Sequence, residues 1–299
     1  MNKENLYAWA CDYSATSGEG NLARLFTKRL NRKYNVIIKT PSNNKSQISK
    51  ILIHKYLSPF VGVLFCWYCF FLKKKTCYIN YLPLWNSLIF ILLPPKTKIG
   101  PVTGGANFNQ KSDDYIIRRY IFPILYKFSA IVLNLKYNKI YFSTDMLKCY
   151  LADSTIKKSY FNYVIEKTKT NTYPKKNIDF IIYYRTHKNK KTFFPYNFLK
   201  KIGSRNYNIH IVGDRLNLPN VNNHGYVSKV KLDRLMSKTK YTICSGENVY
   251  SFFILECIRH DVKILVEKNY KTKISFFKKN FLYTNFDNYD FFQKKILIG

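Results

Sequence analysis

Acidic residues are scarce in this chain: 17 Asp and Glu stand against 50 Lys and Arg in 299 residues, a formal charge of +33. So large a positive balance invites one of three partners: nucleic acid, an anionic membrane surface or a phosphorylated small molecule. No zinc-finger, homeodomain or RNA-recognition signature accompanies it. The basic residues are spread through a chain rich in Lys, Asn, Ile, Tyr and Phe rather than clustered. Compositional drift therefore accounts for much of the charge, which by itself is weak ground for nucleic acid.

Disulfide spacing is also absent. Seven cysteines lie scattered, which speaks for free thiols in a reducing, cytoplasmic setting. Cys66 and Cys69 make a lone CxxC inside PFVGVLFCWYCFFL; without a second pair it reads as apolar packing rather than a zinc or redox site. The opening MNKENLYAWACDYS has too short an apolar run for a secretory signal. The greasiest stretch, Pro59 to Leu72, falls short of the ~20 residues that span a bilayer. Lys73, Lys74 and Lys75 follow it. Two readings stand side by side: a core helix, or an interfacial helix with its apolar side in lipid and its lysines at the headgroups.

What is present is alternation. The hydrophobic content of 46% suffices for one large or two modest domains. LYAWACDYS reads as a strand, TSGEG as a loop, and NLARLFTKRLNRK as a helix with Leu22, Leu25, Phe26 and Leu30 largely on one face. VIIKT, TCYINYL, KIGPVTGG and KIYFST read as further strands. Between them lie the apolar run, WNSLIFILL, and a long helix, IIRRYIFPILYKFSAIVLNL, with a bend expected near Pro123. EKTKTNTYPKKN, Glu166 to Asn177, breaks the pattern and reads as a linker. Alternation then restarts with DFIIYYR, FFPYNFLKKIGSR, NIHIVGD, HGYV, KVKLDRLMSKT, YTICS, SFFILECIR and VKILV, a unit largely complete by Val266. The remainder to Gly299 has no clear place. Strands alternating with helices predict α/β architecture with mostly parallel sheets, in two domains at residues 1–165 and 178–299.

In such sheets ligands bind at the carboxyl ends of strands. Arg185 ends one strand, with His187, Lys188 and Lys190 after it. Gly213 and Asp214 end another, Gly225 precedes Tyr226 and Val227, and Glu247 to Ser251 lead into an apolar helix that carries Glu256. A carboxylate on so apolar a helix needs something to satisfy it. One answer is an internal pair with Arg259, three positions on; the other is a polar ligand.

The order of these features, GDRLNLPNVNNHGYVSKVKLDRLMSKTKYTICSGENVYSFFILECIRHDVKIL, resembles the donor-binding domain of GT-B glycosyltransferases, family four (group 1) relatives especially. The clear resemblance covers about residues 178–266. It implies a GT-B fold, two Rossmann-like domains facing each other across a cleft, the first for the acceptor and the second for a nucleotide sugar. In that likeness Arg185 and Lys190 bind the donor phosphates and Glu247 contacts the donor sugar; counting back from Glu256 puts Asn248 at that place instead. Glu256 holds the ribose hydroxyls. Gly213, Gly225, Tyr226, Val227, Val249, Tyr250 and Ser251 line the donor, the last two beside helix amides that suit a phosphate. The SGEG loop (Gly18, Glu19, Gly20), Asp12 and Gly104 fit the acceptor side, with Glu19 and Asp12 as candidate bases or, equally, turn and capping residues.

No Asp-x-Asp motif is present; Asp113 and Asp114 are adjacent and read as a solvated loop or cap. The resemblance therefore implies transfer without a metal cofactor, with retention of configuration. The expected partners are a nucleotide-sugar donor, a lipid-linked or surface-polysaccharide acceptor of the O-antigen, capsule or lipopolysaccharide type, and an anionic membrane, with no nucleic acid. The expected location is the cytoplasm, peripheral on the inner face of the plasma membrane. The competing reading is a basic protein without enzymatic activity that binds nucleic acid or membrane.

Overall fold

The structure, a computed structural model, describes residues 3–15, 17–41, 57–80, 82–104, 116–165, 176–186, 194–205, 207–244 and 249–287. They fall into two compact units that change over between Glu166 and Lys167.

In the first unit six parallel strands form one sheet: β1 (Glu4–Ala10), β2 (Tyr34–Lys39), β3 (Thr76–Ile79), β4 (Lys98–Val102), β5 (Ile140–Phe142) and β6 (Ser159–Tyr160), in the order β2-β1-β3-β4-β5-β6. Helices α1 (Gly18–Leu30), α2 (Ser58–Phe71), α3 (Ser87–Leu92), α4 (Phe122–Lys136) and α5 (Asp153–Lys157) connect them. Side chains alternate across the sheet, as the two-residue strand period requires. Leu6, Ala8 and Ala10 of β1 meet Phe26 and Leu30 of α1, whereas Trp9 faces Val63 and Cys66 of α2, Phe90 of α3 and Leu133 of α4. Burial on both faces is why the strands read as near-continuous apolar runs.

Two expectations shift here. Gly18, Glu19 and Gly20 are the first turn of α1 rather than a loop, because Ser17 caps the helix with Oγ accepting from Gly20 N at 2.8 Å. The predicted long helix opens as a π-helical segment, Ile117–Ile121, which gives way to α4 beside Pro123. A proline fits the first turn of a helix, where no amide is needed.

The second unit has its own parallel sheet: β7 (Ile178–Tyr184), β8 (Ile209–Gly213), β9 (Val221–Asn223), β10 (Thr239–Ile243), β11 (Lys263–Glu267) and β12 (Phe281–Thr284), in the order β12-β11-β10-β7-β8-β9. Counted within the unit this is 3-2-1-4-5-6, the strand order of a dinucleotide-binding sheet. Helix α6 (Tyr196–Gly203) packs on Phe180 and Ile182; α7 (Lys229–Ser237) and α8 (Phe252–Arg259) pack on the other face around Ile181 and Val212.

The HGYV segment is not a strand. The edge strand is the preceding Val221–Asn223, since Gly225 takes φ +67°, outside strand geometry. Nor does the unit end at Val266, for β12 adds a sixth strand along β11.

A histidine pair sits at the β8–β9 edge. His210 Nε2 donates to Asn208 Oδ1 at 3.0 Å, so its Nδ1 accepts from His224 Nε2 at 2.9 Å. Burial, then the neighbouring His224 for His210 and Lys231 for His224, hold both pKa values below the ordinary imidazole range. A depressed histidine pKa gives stability that is present above the unfolded value and lost as pH falls through it. The melting temperature should therefore drop between pH 7.5 and 5.5, and by less in the His210→Asn/His224→Gln double variant. An identical pH slope in both proteins would contradict the pairing.

Candidate functional site

In the second sheet the chain leaves β7 toward β8 on one side and reaches β10 on the other. Such a reversal of strand order is the ordinary ligand site of an open parallel sheet. Arg185 and Thr186 follow β7 here, and Cys244 follows β10. The ring of Tyr183 stacks on Phe253 in the first turn of α8, with centroids 5.4 Å and planes 23° apart. That contact fixes the helix N-terminus next to the end of β7.

Asp214, just beyond β8, binds the strand ends together. Its Oδ2 accepts from Thr186 N at 2.7 Å and Thr186 Oγ1 at 2.8 Å, and its Oδ1 accepts from Tyr226 OH at 2.6 Å. These bonds, the Thr186 amide foremost, with the Arg185 guanidinium nearby, lower its pKa to about 2. The carboxylate stays ionised and ties the loops after β7, β8 and β9 into one rim. The preceding Gly213 has φ +102°, and a Cβ there would lie 2.3 Å from Tyr184 O. Only glycine lets β8 end so close to β7. Gly213 N donates to Gly225 O at 2.9 Å, completing the rim. Asp214 outweighs its glycine neighbour here; an acid directly after the strand-ending glycine was its only sequence signal.

Arg185 is exposed at this rim and has no hydrogen bond or ion pair with another described residue. A guanidinium so placed can receive an anion with its planar fork of donors. Ser251 caps α8, its Oγ accepting from Ile254 N at 3.4 Å, and no acid lies in the first turn to neutralise the helix N-terminus. The neighbours are structural. Val249 is fully buried, and Tyr250 OH accepts from Ser275 N at 3.0 Å and Phe276 N at 2.9 Å, so its side chain anchors the 275–276 loop. What these two can offer a ligand is backbone. Val227 packs against the α7–α8 cluster, while Tyr226 is largely exposed above Asp214. Lys190, Glu247 and Asn248 lie outside the described residues, as do His187, Lys188, Asp113 and Asp114.

Glu256 makes the internal pair that the sequence left open, and a shorter one besides. Its Oε2 lies 2.7 Å from Lys229 Nζ and 3.6 Å from Arg259 Nη1. Lys229, at the start of α7, also bonds Asp233 Oδ1 at 3.0 Å, and His260 Nε2 reaches the same oxygen at 3.2 Å. Asp233, Glu256 and His260 thus bring three potential ligand atoms within 4.8 Å of one another, a donor set a divalent cation could use. In this arrangement the Lys229 ammonium supplies the positive charge, bridging α7 to α8.

The reversal in the first sheet falls between β1 and β3, and there the sequence missed its central residue. Asn80 is fully buried with φ +54°. Its Oδ1 accepts from Cys11 N at 3.0 Å, and its Nδ2 donates to the carbonyls of Asp12 and Glu19. Asp12 Oδ1 accepts from Ser14 N at 2.8 Å and Oδ2 from Ser17 Oγ. Burial disfavours the Asp12 anion, but the bonds from Ser17 and Ser14 prevail and its pKa is lowered. Such a carboxylate is a turn-and-cap brace and a weak proton acceptor. Gly20 is obligatory, since a Cβ would meet Ser14 O at 2.2 Å; Gly18 is exposed with open space around it, and Gly104 follows β4 beside Tyr126.

Solved structures share this architecture. A glycosyltransferase from Rickettsia africae matches 100% of this chain and 88% of its own, with a TM-score of 0.55 and 14% identity. The fold is GT-B. A UDP-GlcNAc 2-epimerase from Methanocaldococcus jannaschii shares this GT-B likeness over 99% of this chain and 92% of its own, with a TM-score of 0.50 and 10% identity. At these identities the likeness is one of fold. No protein-family profile and no curated protein matches the sequence.

The rim makes the two glycines unequal. Gly213→Ala should lower the urea midpoint by the equivalent of about 1–3 kcal/mol, because both dihedral strain and the clash with Tyr184 O act. Gly225→Ala, with open space at its Cβ, should cost about 1 kcal/mol. Equal or reversed costs would show that the strand ends do not meet as described.

Proposed function

We propose that this GT-B chain is a glycosyltransferase that moves a sugar from a nucleotide donor to a lipid-linked or surface-polysaccharide acceptor. The reading is carried by the reversal between β7 and β10, where Arg185, the Asp214 rim and the capped start of α8 are gathered. An exposed arginine after β7 and a helix start with no acid in its first turn suit the pyrophosphate of a nucleoside diphosphate. The backbone from Gly225 to Val227 would meet the base. Glu256, with both cations on Oε2, would keep Oε1 for the ribose hydroxyls, and Glu247 or Asn248 would reach the sugar.

The chemistry is set by where charge grows. As the bond from the anomeric carbon to the diphosphate breaks, negative charge builds on the leaving phosphate oxygen. Arg185, Lys190 and the α8 amides would stabilise that charge more in the transition state than in the ground state, which accelerates the step. This requires no metal. The acceptor oxygen then bonds to the anomeric carbon and gives its proton to the departing phosphate, with retention of configuration. That route asks nothing of Asp12, whose oxygens already serve its own loop. Free thiols suit a reducing compartment, so we place the reaction at the cytoplasmic face of a membrane.

Arg185 is exposed, so its removal should spare the fold. Arg185→Ala should weaken nucleoside diphosphate binding at least about tenfold by calorimetry and reduce turnover ~10²–10³-fold, at an unchanged melting temperature. Arg185→Lys should recover part of the binding, a point charge replacing a fork. Full affinity in Arg185→Ala would remove the phosphate site from this reversal.

A further inference from the structure

The first unit buries only one side of its α2–α3–α4 helix layer. Helix α2 turns Val63, Cys66 and Cys69 to the sheet, yet its outer stripe is Leu57, Phe60, Leu64, Tyr68 and Phe71, with Leu64 68% and Phe71 73% exposed. Helix α4 repeats the arrangement. Tyr126, Ala130 and Leu133 face inward, while Ile124, Phe128, Ile131 and Leu135 face out, Leu135 at 82%. Between them α3 buries Ile89 and Phe90 and exposes Leu88 and Ile91. The three helices are laced side by side. Trp67 Nε1 donates to Leu92 O at 2.8 Å, Tyr137 OH donates to Phe90 O at 2.9 Å, and Lys136 Nζ donates to Ile91 O. Their outer stripes therefore lie side by side as one largely apolar face, with Lys127 of α4 also exposed. Single exposed leucines are ordinary; a face of this breadth marks an interaction surface.

Its chemistry selects the occupant. From Gly20 to Ser112 the chain contains no Asp or Glu at all. Lys73 and Lys74 follow α2, Lys96 follows α3 and Arg119 precedes α4; all four are exposed, Lys74 lying over the Tyr7 ring at 4.8 Å, and Arg118 is half-buried. The aromatic rings of Tyr68, Trp85 and Tyr120 lie partly open on or next to the same helices. An apolar face with aromatic and cationic margins matches a lipid interface with anionic headgroups. A second copy would press one acid-poor, lysine-rimmed face against another, bringing like charges together. No helix of the described residues is long and apolar enough to cross a bilayer.

We propose that α2, α3 and α4 together form a monotopic docking face for an anionic lipid bilayer, lying in the plane of the headgroups. The greasy run of α2 is thus one third of the contact, and α4 is its far side. Docking does not depend on the donor site, which lies wholly in the second unit.

The test is flotation of the full chain with phosphatidylcholine vesicles that contain or lack phosphatidylglycerol. The wild type should float with the anionic vesicles, with a blue shift in tryptophan emission as Trp85 leaves water. Leu64→Glu/Leu135→Glu should lower the bound fraction at least about tenfold, with melting temperature and nucleoside diphosphate affinity unchanged. Arg185→Ala should float like the wild type, so loss of the donor site and loss of docking register separately. A wild type that stays with the soluble fraction, or a double variant that floats equally well, overturns the proposal. So does a concentration-dependent dimer in light scattering that the double variant splits, which would assign the face to a second copy.

Discussion

A parallel strand must be entered from the same end as its neighbour, so every connection in these sheets has to cross a face and return. That constraint shapes both units. Each crossover needs a helix, each helix needs an apolar stripe, and each strand is sealed on both sides. Polar chemistry is displaced to the strand ends. Only where successive crossovers leave in opposite directions do two strand ends part, and there is one such place in each sheet: β1 with β3, and β7 with β10. Asn80 spans the first with several bonds, and Asp214 ties the strand ends on the β8 side of the second.

The shortage of acids acquires a structural meaning at these points. Asp12, Asp214 and Glu256 are all engaged with hydrogen-bond donors or cations of their own unit. Among the described residues no carboxylate forms an ion pair with Arg185, Lys73 or Lys74, and none lies in the first turn of α8, whereas Lys75 pairs with Glu4. On the readings proposed above, anions supplied from outside would occupy those places, a diphosphate at the strand reversal and lipid headgroups around the helix layer. The same excess of positive charge would thus serve two ligands on separate units.

How much of this the sequence disclosed depends on whether a residue's role is local. Strands β1, β7 and β10 and helices α1 and α8 were legible because apolar periodicity is local, and two-fold burial makes the runs long. Two parallel α/β units were legible because that alternation is carried through twice, and the order of motifs in the second supplied the resemblance to GT-B. β9 was misplaced by a few residues, for a strand of Val-Asn-Asn has no apolar pattern and the valine after Gly225 did. β12 was invisible, being an edge strand in a stretch without periodicity. In the site, Gly213 and Arg185 could be placed from their position at strand ends. Asn80 could not, because its partners Cys11 and Glu19 are more than sixty residues away in the chain. Glu256 showed the limit from the other side: its neighbour Arg259 is local and was foreseen, whereas Lys229 comes from another helix and was not.

The central claim is that the reversal between β7 and β10 is where a nucleoside diphosphate binds. A crystal structure of the full chain grown with a nucleoside diphosphate tests it most directly. The account predicts density for both phosphates between the Arg185 guanidinium and the first turn of α8, with the base near Gly225 to Val227. Phosphates bound elsewhere, with Arg185 left in solvent, would contradict it.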